Sequence, residues 1–414
     1  MSYFELNMDL SETELALKAN ANKFAKEIMR PISIELDQMT AEEVIAPKSP
    51  FWDFFRKAYE LGYHKLPFPE IVGGAGLTPL QTAIVMEELA WGSIGLTLSL
   101  YTSFDAVMAM AGSEELIKEF TIPYCQCEDG SVVGCWAVTE PEHGSDTGML
   151  FFPFFRDPNV KPQCTARLKG DEWVINGQKS AWVSGGTIAK SVLLHAQIDT
   201  AMGFAGSGFF IFKLDRPGVS KGKPQEKLGM RECNHGEIFF DDVHVPKGAL
   251  VIGPEIYEAA FTGHLCMTLP MVGVWATGLA RAAYEEALAY ARERVQGGKP
   301  LIEHQAVQVK LFDMYRKVEA SRQMTRAPFI YNYSNPPEKR SLLHALAAKS
   351  YATQIALEVS NDAIHIFGAM GLTNEVPVEK FFRDARTIMI ADGPSDSIAV
   401  QGGYYINHPI ELSG

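Results

Sequence analysis

The sequence predicts an α+β protein in three successive parts: a helical N-terminal domain over residues 1–128, a central antiparallel β-domain over 129–248 and a C-terminal helical bundle over 249–414. Three observations predict this order. Apolar residues recur with the helical period up to about residue 125. Short segments rich in Val, Ile and Phe, separated by Gly, Asp, Asn and Pro, then take over, and the helical period returns from about residue 253. Helices and strands that segregate along the chain argue against an alternating, parallel α/β sheet.

Ser11 followed by Glu14 is a capping box ahead of the run ETELALKANANKFAKEIM. Thr78 as N-cap with Pro79 at the first helical position marks a second start. The stretch WGSIGLTLSL that follows is too apolar for a surface. Beyond Gly130, the segments SVVGCWAVT, EWVING, SVLLHAQI, GFFIFKL and EIFFDDVHV read as strands of a small antiparallel sheet or barrel, closed by Pro246. In the last part Leu279, Ala283, Ala287 and Tyr290 share a helix face. So do Val307, Leu311, Met314 and Val318, and Ile355, Val359, Ala363 and Ile366. Asn335-Pro336-Pro337 breaks two of these helices apart. Long helices so spaced pack as a bundle.

The formal charge of −13 leaves no basic surplus to neutralise a phosphate backbone, so a nucleic-acid partner is excluded. A phosphate-bearing cofactor is not, since a few Arg residues and helix N-termini suffice. Six scattered cysteines without a CxxC read as free thiols of a reduced compartment. The N-terminus lacks a signal-like or transit-like pattern, and no apolar run approaches the roughly 20 residues of a membrane span. A cytoplasmic protein with no membrane partner is expected. No GxGxxG follows a strand, and no P-loop, GxSxG elbow or metal-ligand spacing is present, so no metal is expected; Gly73 to Gly76 reads as a plain loop.

The segment Trp136-Ala137-Val138-Thr139-Glu140-Pro141-Glu142-His143-Gly144-Ser145-Asp146 ends a strand and offers backbone N–H groups and hydroxyls to an anion or a polar ring edge. It closely resembles the TEP…GSD flavin-binding stretch of acyl-CoA dehydrogenases. Further motifs of that family follow in order. Gly177 to Ser184 resembles GxKxWITN with one residue inserted. Leu228-Gly229-Met230-Arg231 with Phe239 to Pro246 resembles LGxR…FxDVxVP. Arg294 with Glu303-His304-Gln305 resembles R…EHQ, and Ile366 to Gly371 with Phe382 to Arg386 resembles IxGGxG and xRDAR. The resemblance covers nearly the whole chain and implies the same fold: a helical domain, a β-domain and a four-helix bundle.

It also implies FAD as cofactor. Trp136, Ala137, Val138 and Thr139, with Trp182, Val183 and Ser184, would line the isoalloxazine, the hydroxyls of Thr139 and Ser184 meeting its polar edge. Gly144 and Ser145 would lie against the cofactor, Ser145 near the phosphates and also within reach of substrate. Arg294 and Gln305, with His365, Gly368 and Ala369, would hold the pyrophosphate and adenosine of a neighbouring subunit, so a homodimer or homotetramer is implied. The implied reaction removes the α-proton of an acyl-CoA thioester while a hydride leaves the β-carbon, and an electron-transfer flavoprotein takes the electrons.

Counting from Arg383-Asp384-Ala385-Arg386, the family's catalytic Glu-Gly falls on Asp392-Gly393, so Asp392 is the expected base and Gly393 its substrate-binding neighbour. The alternative base position on a neighbouring helix holds Thr268, and Leu269 stands where many members carry an Arg that helps bind the CoA ester. Tyr101 falls at the floor of the acyl pocket and suggests a short, branched or cyclic acyl group. Two other outcomes of the same fold stay open: a flavin oxidase of a small carbon acid, as in nitroalkane oxidases, and a non-redox CoA-ester lyase.

Overall fold

The computed structural model describes residue 6 and residues 10–408. Helix α1 (Glu12–Phe24) starts at Ser11 with both halves of the capping box formed. It runs through a π-helical turn, Ala25–Met29, into α2 (Arg30–Asp37). Helix α3 (Pro50–Glu60) buries Phe51, Phe54, Phe55, Ala58 and Tyr59 on one face. Each large side chain so removed from water contributes about 1.5–3 kcal/mol. Helix α4 (Pro79–Gly92) begins at Thr78, whose hydroxyl accepts from Gln81 N, and is buried from Thr82 onward; α5 (Ile94–Leu100) is buried throughout.

The central sheet has eight strands: β1 (Gly134–Ala137), β2 (Thr165–Lys169), β3 (Glu172–Ser184), β4 (Ser191–Gln197), β5 (Ser207–Lys213), β6 (Val219–Lys221), β7 (His235–Pro246) and β8 (Leu250–Ile252). The order is β6-β7-β3-β2-β4-β5-β8, with β1 added on β4. The sheet is not wholly antiparallel as the sequence suggests, because β1 and β2 each pair with β4 in parallel. The chain between β1 and β2 makes no hairpin; it swings out through residues 138–164 and returns in the same sense.

The bundle consists of α6 (Tyr257–Glu293), α7 (Gln305–Ser334) and α8 (Leu342–Phe367), completed by the shorter α9 (Val378–Ile388) and α10 (Ser395–Asn407). The break at Asn335 to Pro337 separates α7 from α8. One correction concerns α6: an 18-residue window reaches a mean hydropathy of 1.3, long and apolar enough to cross a membrane. Its apolar character comes from Leu, Met, Val, Cys and Ala interrupted by Gly, Thr, His and Pro, so no unbroken run announces it. In the fold 83% of that window is buried, which makes it a core helix by packing.

Buried charge ties the N-terminal helices to the bundle. Glu87 and Glu88 of α4 are each 1% exposed. Arg281 of α6 donates to Glu88 at 2.7 Å; Arg322 and Arg326 of α7 each donate to Glu87 at 2.9 Å. Gly278 allows the close crossing of α4 and α6, since a Cβ there would lie 2.3 Å from Glu87 O.

Candidate active site

Residues of the β-domain and both helical regions enclose one cavity of about 970 Å³, large enough for a cofactor ring system together with part of a substrate.

Its first wall is the loop after β1. Glu140 anchors that loop from below. Its carboxylate pairs with Lys179 Nζ at 2.8 Å, both side chains being 1% exposed, and accepts from Gln163 N (2.5 Å) and Cys164 N (3.1 Å). Lys179 also donates to Val138 O at 2.8 Å. Burial alone would raise the Glu140 pKa, but the Lys179 ammonium and the two backbone donors outweigh it and hold the carboxyl below its ordinary value. Further along, Asp146 shapes the loop by accepting from Gly144 N at 2.7 Å, and Ser397 donates to the Ser145 hydroxyl at 3.1 Å. Trp136 donates its indole N–H to His195 Nε2 at 2.8 Å. Because Trp only donates, His195 Nδ1 carries the proton and donates to the Tyr257 hydroxyl, also at 2.8 Å.

The second wall comes from β3. Between Lys179 and Val183 its register against β7 slips, a bulge in which β3 advances four residues against two of β7. There Trp182 turns outward and is 61% exposed, at the cavity wall. Ser180 meets the Thr139 hydroxyl at 2.8 Å. Behind Ser184, Lys227 Nζ donates to His235 Nδ1 at 2.7 Å, and His235 Nε2 lies 3.0 Å from Ser184 Oγ. His235 Nδ1 also lies 3.1 Å from Cys233 O, so the imidazole ties Ser184 to the Lys227–Cys233 segment, and Ser184 itself lines the cavity.

The third wall follows α9. A turn over residues 389–394 carries Asp392 at φ +52° and Gly393 at φ +94°. Few non-glycine residues adopt this left-handed conformation, although Asp tolerates it. Met230 and Asp392, two of the four described non-glycine residues that do so, line the cavity. Asp392 is open to the cavity yet enclosed by surrounding protein. That enclosure raises its pKa above the ordinary aspartate value, and the Lys349 ammonium pulls it partly back.

Leu98, Tyr101, Met271 and Trp275 close off the apolar end. Tyr101 and Trp275 stack at 5.8 Å between ring centroids, and the Tyr101 hydroxyl donates to Tyr63 O at 2.8 Å, which fixes the pair.

The cavity therefore brings together Tyr101, Trp136, Val138, Thr139, Gly144, Ser145, Trp182, Ser184, Leu269, Asp392 and Gly393 from the sequence reading. Ala137 and Val183 do not line it; each is a buried core residue between two that do. Strand alternation explains this and was available in the sequence. Thr268 is buried within α6, its hydroxyl bonded back to His264 O. Arg294, Gln305, His365, Gly368 and Ala369 are exposed and lie outside the cavity. Stacking of Tyr290 on Phe367 places the ends of α6 and α8, and with them these residues, at one end of the bundle. Lys227, His235 and Lys349 escape the sequence reading. For Lys349 the signal was a lone lysine among Ala345, Leu346, Ala348 and Ala352.

Models of the acyl-CoA dehydrogenase N-terminal, middle and C-terminal domains match residues 11–128, 135–243 and 260–400. The human short-chain specific acyl-CoA dehydrogenase of mitochondria is 32% identical over 394 residues, 94% of this chain and 89% of that protein. Butyryl-CoA dehydrogenase from Megasphaera elsdenii superimposes with a TM-score of 0.83 at 27% identity, covering 96% of this chain and 99% of that one. A glutaryl-coenzyme A dehydrogenase in complex with glutaryl-CoA gives 0.85 at 27% identity, covering 98% of both chains.

Proposed function

The chain belongs to the acyl-CoA dehydrogenase family and is an FAD-dependent oxidoreductase of acyl-CoA thioesters, and from that premise we propose that it desaturates a short, branched or cyclic acyl group with Asp392 as base. The observation that carries the proposal is the placement of Asp392, with its raised pKa, in the cavity that also holds Trp182, Ser184 and the Tyr101–Trp275 floor.

The residues present fit FAD. Trp182 offers an exposed aromatic face for a flat ring to cover, and the Ser184 hydroxyl, held against His235, lines the cavity where a polar ring edge would lie. When bound, FAD supplies the acceptor for the hydride that leaves the substrate β-carbon. Asp392 takes the α-proton, and enclosure by the surrounding protein moves its pKa upward, the direction a base working near neutral pH needs. The Glu140–Lys179 pair holds the Thr139–Ser145 loop in place, so the hydroxyls need no reorganisation when ligand arrives. Leu269 adds an apolar side chain to the cavity lining where a cation would help bind a CoA ester.

A second subunit completes this reading: Arg294, Gln305, His365, Gly368 and Ala369 lie outside the cavity and would meet a cofactor from another copy. Val309, Phe312, Met324 and Tyr331 are exposed along α7 and support self-association. An electron-transfer flavoprotein is the proposed electron acceptor.

The test is anaerobic titration of the yellow holoenzyme with a panel of acyl-CoA esters, followed by flavin absorbance. Bleaching by butyryl-CoA and branched or cyclic esters is expected. Bleaching by no CoA ester would sink the proposal. The Asp at 392 and the apolar Leu269 favour one second reading, an oxidase of a small carbon acid; rapid peroxide formation without any CoA ester would establish it. Flavin that stays oxidised while a CoA ester is cleaved would instead indicate a lyase.

The floor makes its own prediction. Trp275→Ala or Tyr101→Ala lengthens the apolar end, so the ratio of kcat/KM for a medium-chain over a short-chain ester rises about tenfold or more. An unchanged ratio would remove both residues from chain-length selection.

A further inference from the structure

Lys349 sits in the first half of α8 with 0% of its surface exposed. A buried ammonium is costly unless its protons are matched, and here the partners are specific. Its Nζ donates to Met389 O at 3.1 Å and, at short range, to Gly393 O. These two carbonyls bracket the turn that carries Asp392.

The turn has little else to hold it. Ile390 N and Ala391 N bond back to Thr387 O, and Ile398 N bonds to Pro394 O at the start of α10. Among the described residues no other backbone hydrogen bond holds residues 392–394, where two successive positions are left-handed. Such a conformation costs of order 1–3 kcal/mol for a non-glycine residue and persists only when its surroundings enforce it.

We propose that Lys349 is a positioning residue: its ammonium staples the Met389–Gly393 turn from beneath and so fixes where the Asp392 carboxylate stands in the cavity. The inference rests on Asp392 being the base. Lys349 also stabilises the ionised form of Asp392. Burial lowers the pKa of Lys349 to about 8, with Asp392 holding it up, so the ammonium is present at neutral pH. Its charge lowers the Asp392 pKa; without it that pKa rises, and the acid limb of the rate profile moves to higher pH.

The experiment measures kcat, KM and the pH dependence of kcat/KM for butyryl-CoA in the FAD-loaded wild type, Lys349→Met, Lys349→Gln and Asp392→Asn. Flavin content and melting midpoint are measured beside them. Lys349→Met is expected to lower kcat about 10- to 100-fold with KM changed far less, and to move the acid limb up by about one pH unit. Lys349→Gln, which keeps one donor but no charge, is expected to shift the limb as far with a smaller loss of kcat. It also carries the test if the Met variant does not fold. Full kcat and an unmoved limb in a folded Lys349 variant, with Asp392→Asn inactive, would overturn the role of Lys349 alone. An active Asp392→Asn would overturn the base assignment instead.

Discussion

Asp392→Asn removes turnover of the acyl-CoA substrate by 10²- to 10⁴-fold, the usual contribution of a positioned general base, while flavin is retained. The amide is nearly isosteric with the carboxylate and keeps the left-handed turn, so a loss of this size reports on the proton and not on the fold. The pH dependence of the wild type follows from the same group. A base must be ionised, so kcat/KM is low below the Asp392 pKa and rises to a plateau above it. Enclosure by the surrounding protein raises that pKa, with Lys349 opposing, so the midpoint lies above the ordinary aspartate value. Steady-state assays across pH check both statements. A limb at the ordinary aspartate value, or one that survives in the Asn variant, would point to a different base.

Lys179→Met produces the largest structural effect. It leaves the Glu140 carboxylate 4% exposed as a residue and without its counter-ion, beneath the loop that bears Thr139 and Ser145. Breaking one side of a buried ion pair costs about 3–5 kcal/mol. A melting midpoint lower by several degrees and weaker FAD retention are expected from thermal unfolding and flavin titration. Adding Glu140→Gln recovers part of the loss, because an amide needs no counter-ion and still accepts from Gln163 N or Cys164 N. A melting midpoint unchanged in Lys179→Met would show that the pair does not stabilise the loop.

These two residues mark the range of what was legible in the sequence. Ser11 and Thr78 cap helices through neighbours three residues away, so local pattern sufficed. Trp136, Thr139, Trp182 and Ser184 were legible as a constellation because their motifs are contiguous. The roles of Glu140 and Lys179 within those motifs were not, since their pairing joins residues 39 apart. The parallel pairing of β1 and β2 with β4 was hidden for the same reason: nothing local in Gly134–Ala137 or Thr165–Lys169 encodes its partner. Much of the LGxR and RDAR resemblance also proves structural. Met230 N donates to Asp384 at 2.5 Å, Arg383 donates to Leu228 O at 3.0 Å, and Lys380 links Asp384 to Glu232. Lys349 was the least legible, because one lysine in an apolar helix gives no sign of a turn 40 residues away.

The central claim, that Asp392 starts the desaturation of a short acyl-CoA, is tested most directly by a single turnover. Anaerobic holoenzyme is mixed with butyryl-CoA, and flavin absorbance is followed for wild type and Asp392→Asn together. Prompt bleaching in the wild type and none on the same timescale in the variant is the predicted result. Bleaching at equal rates in both would contradict it.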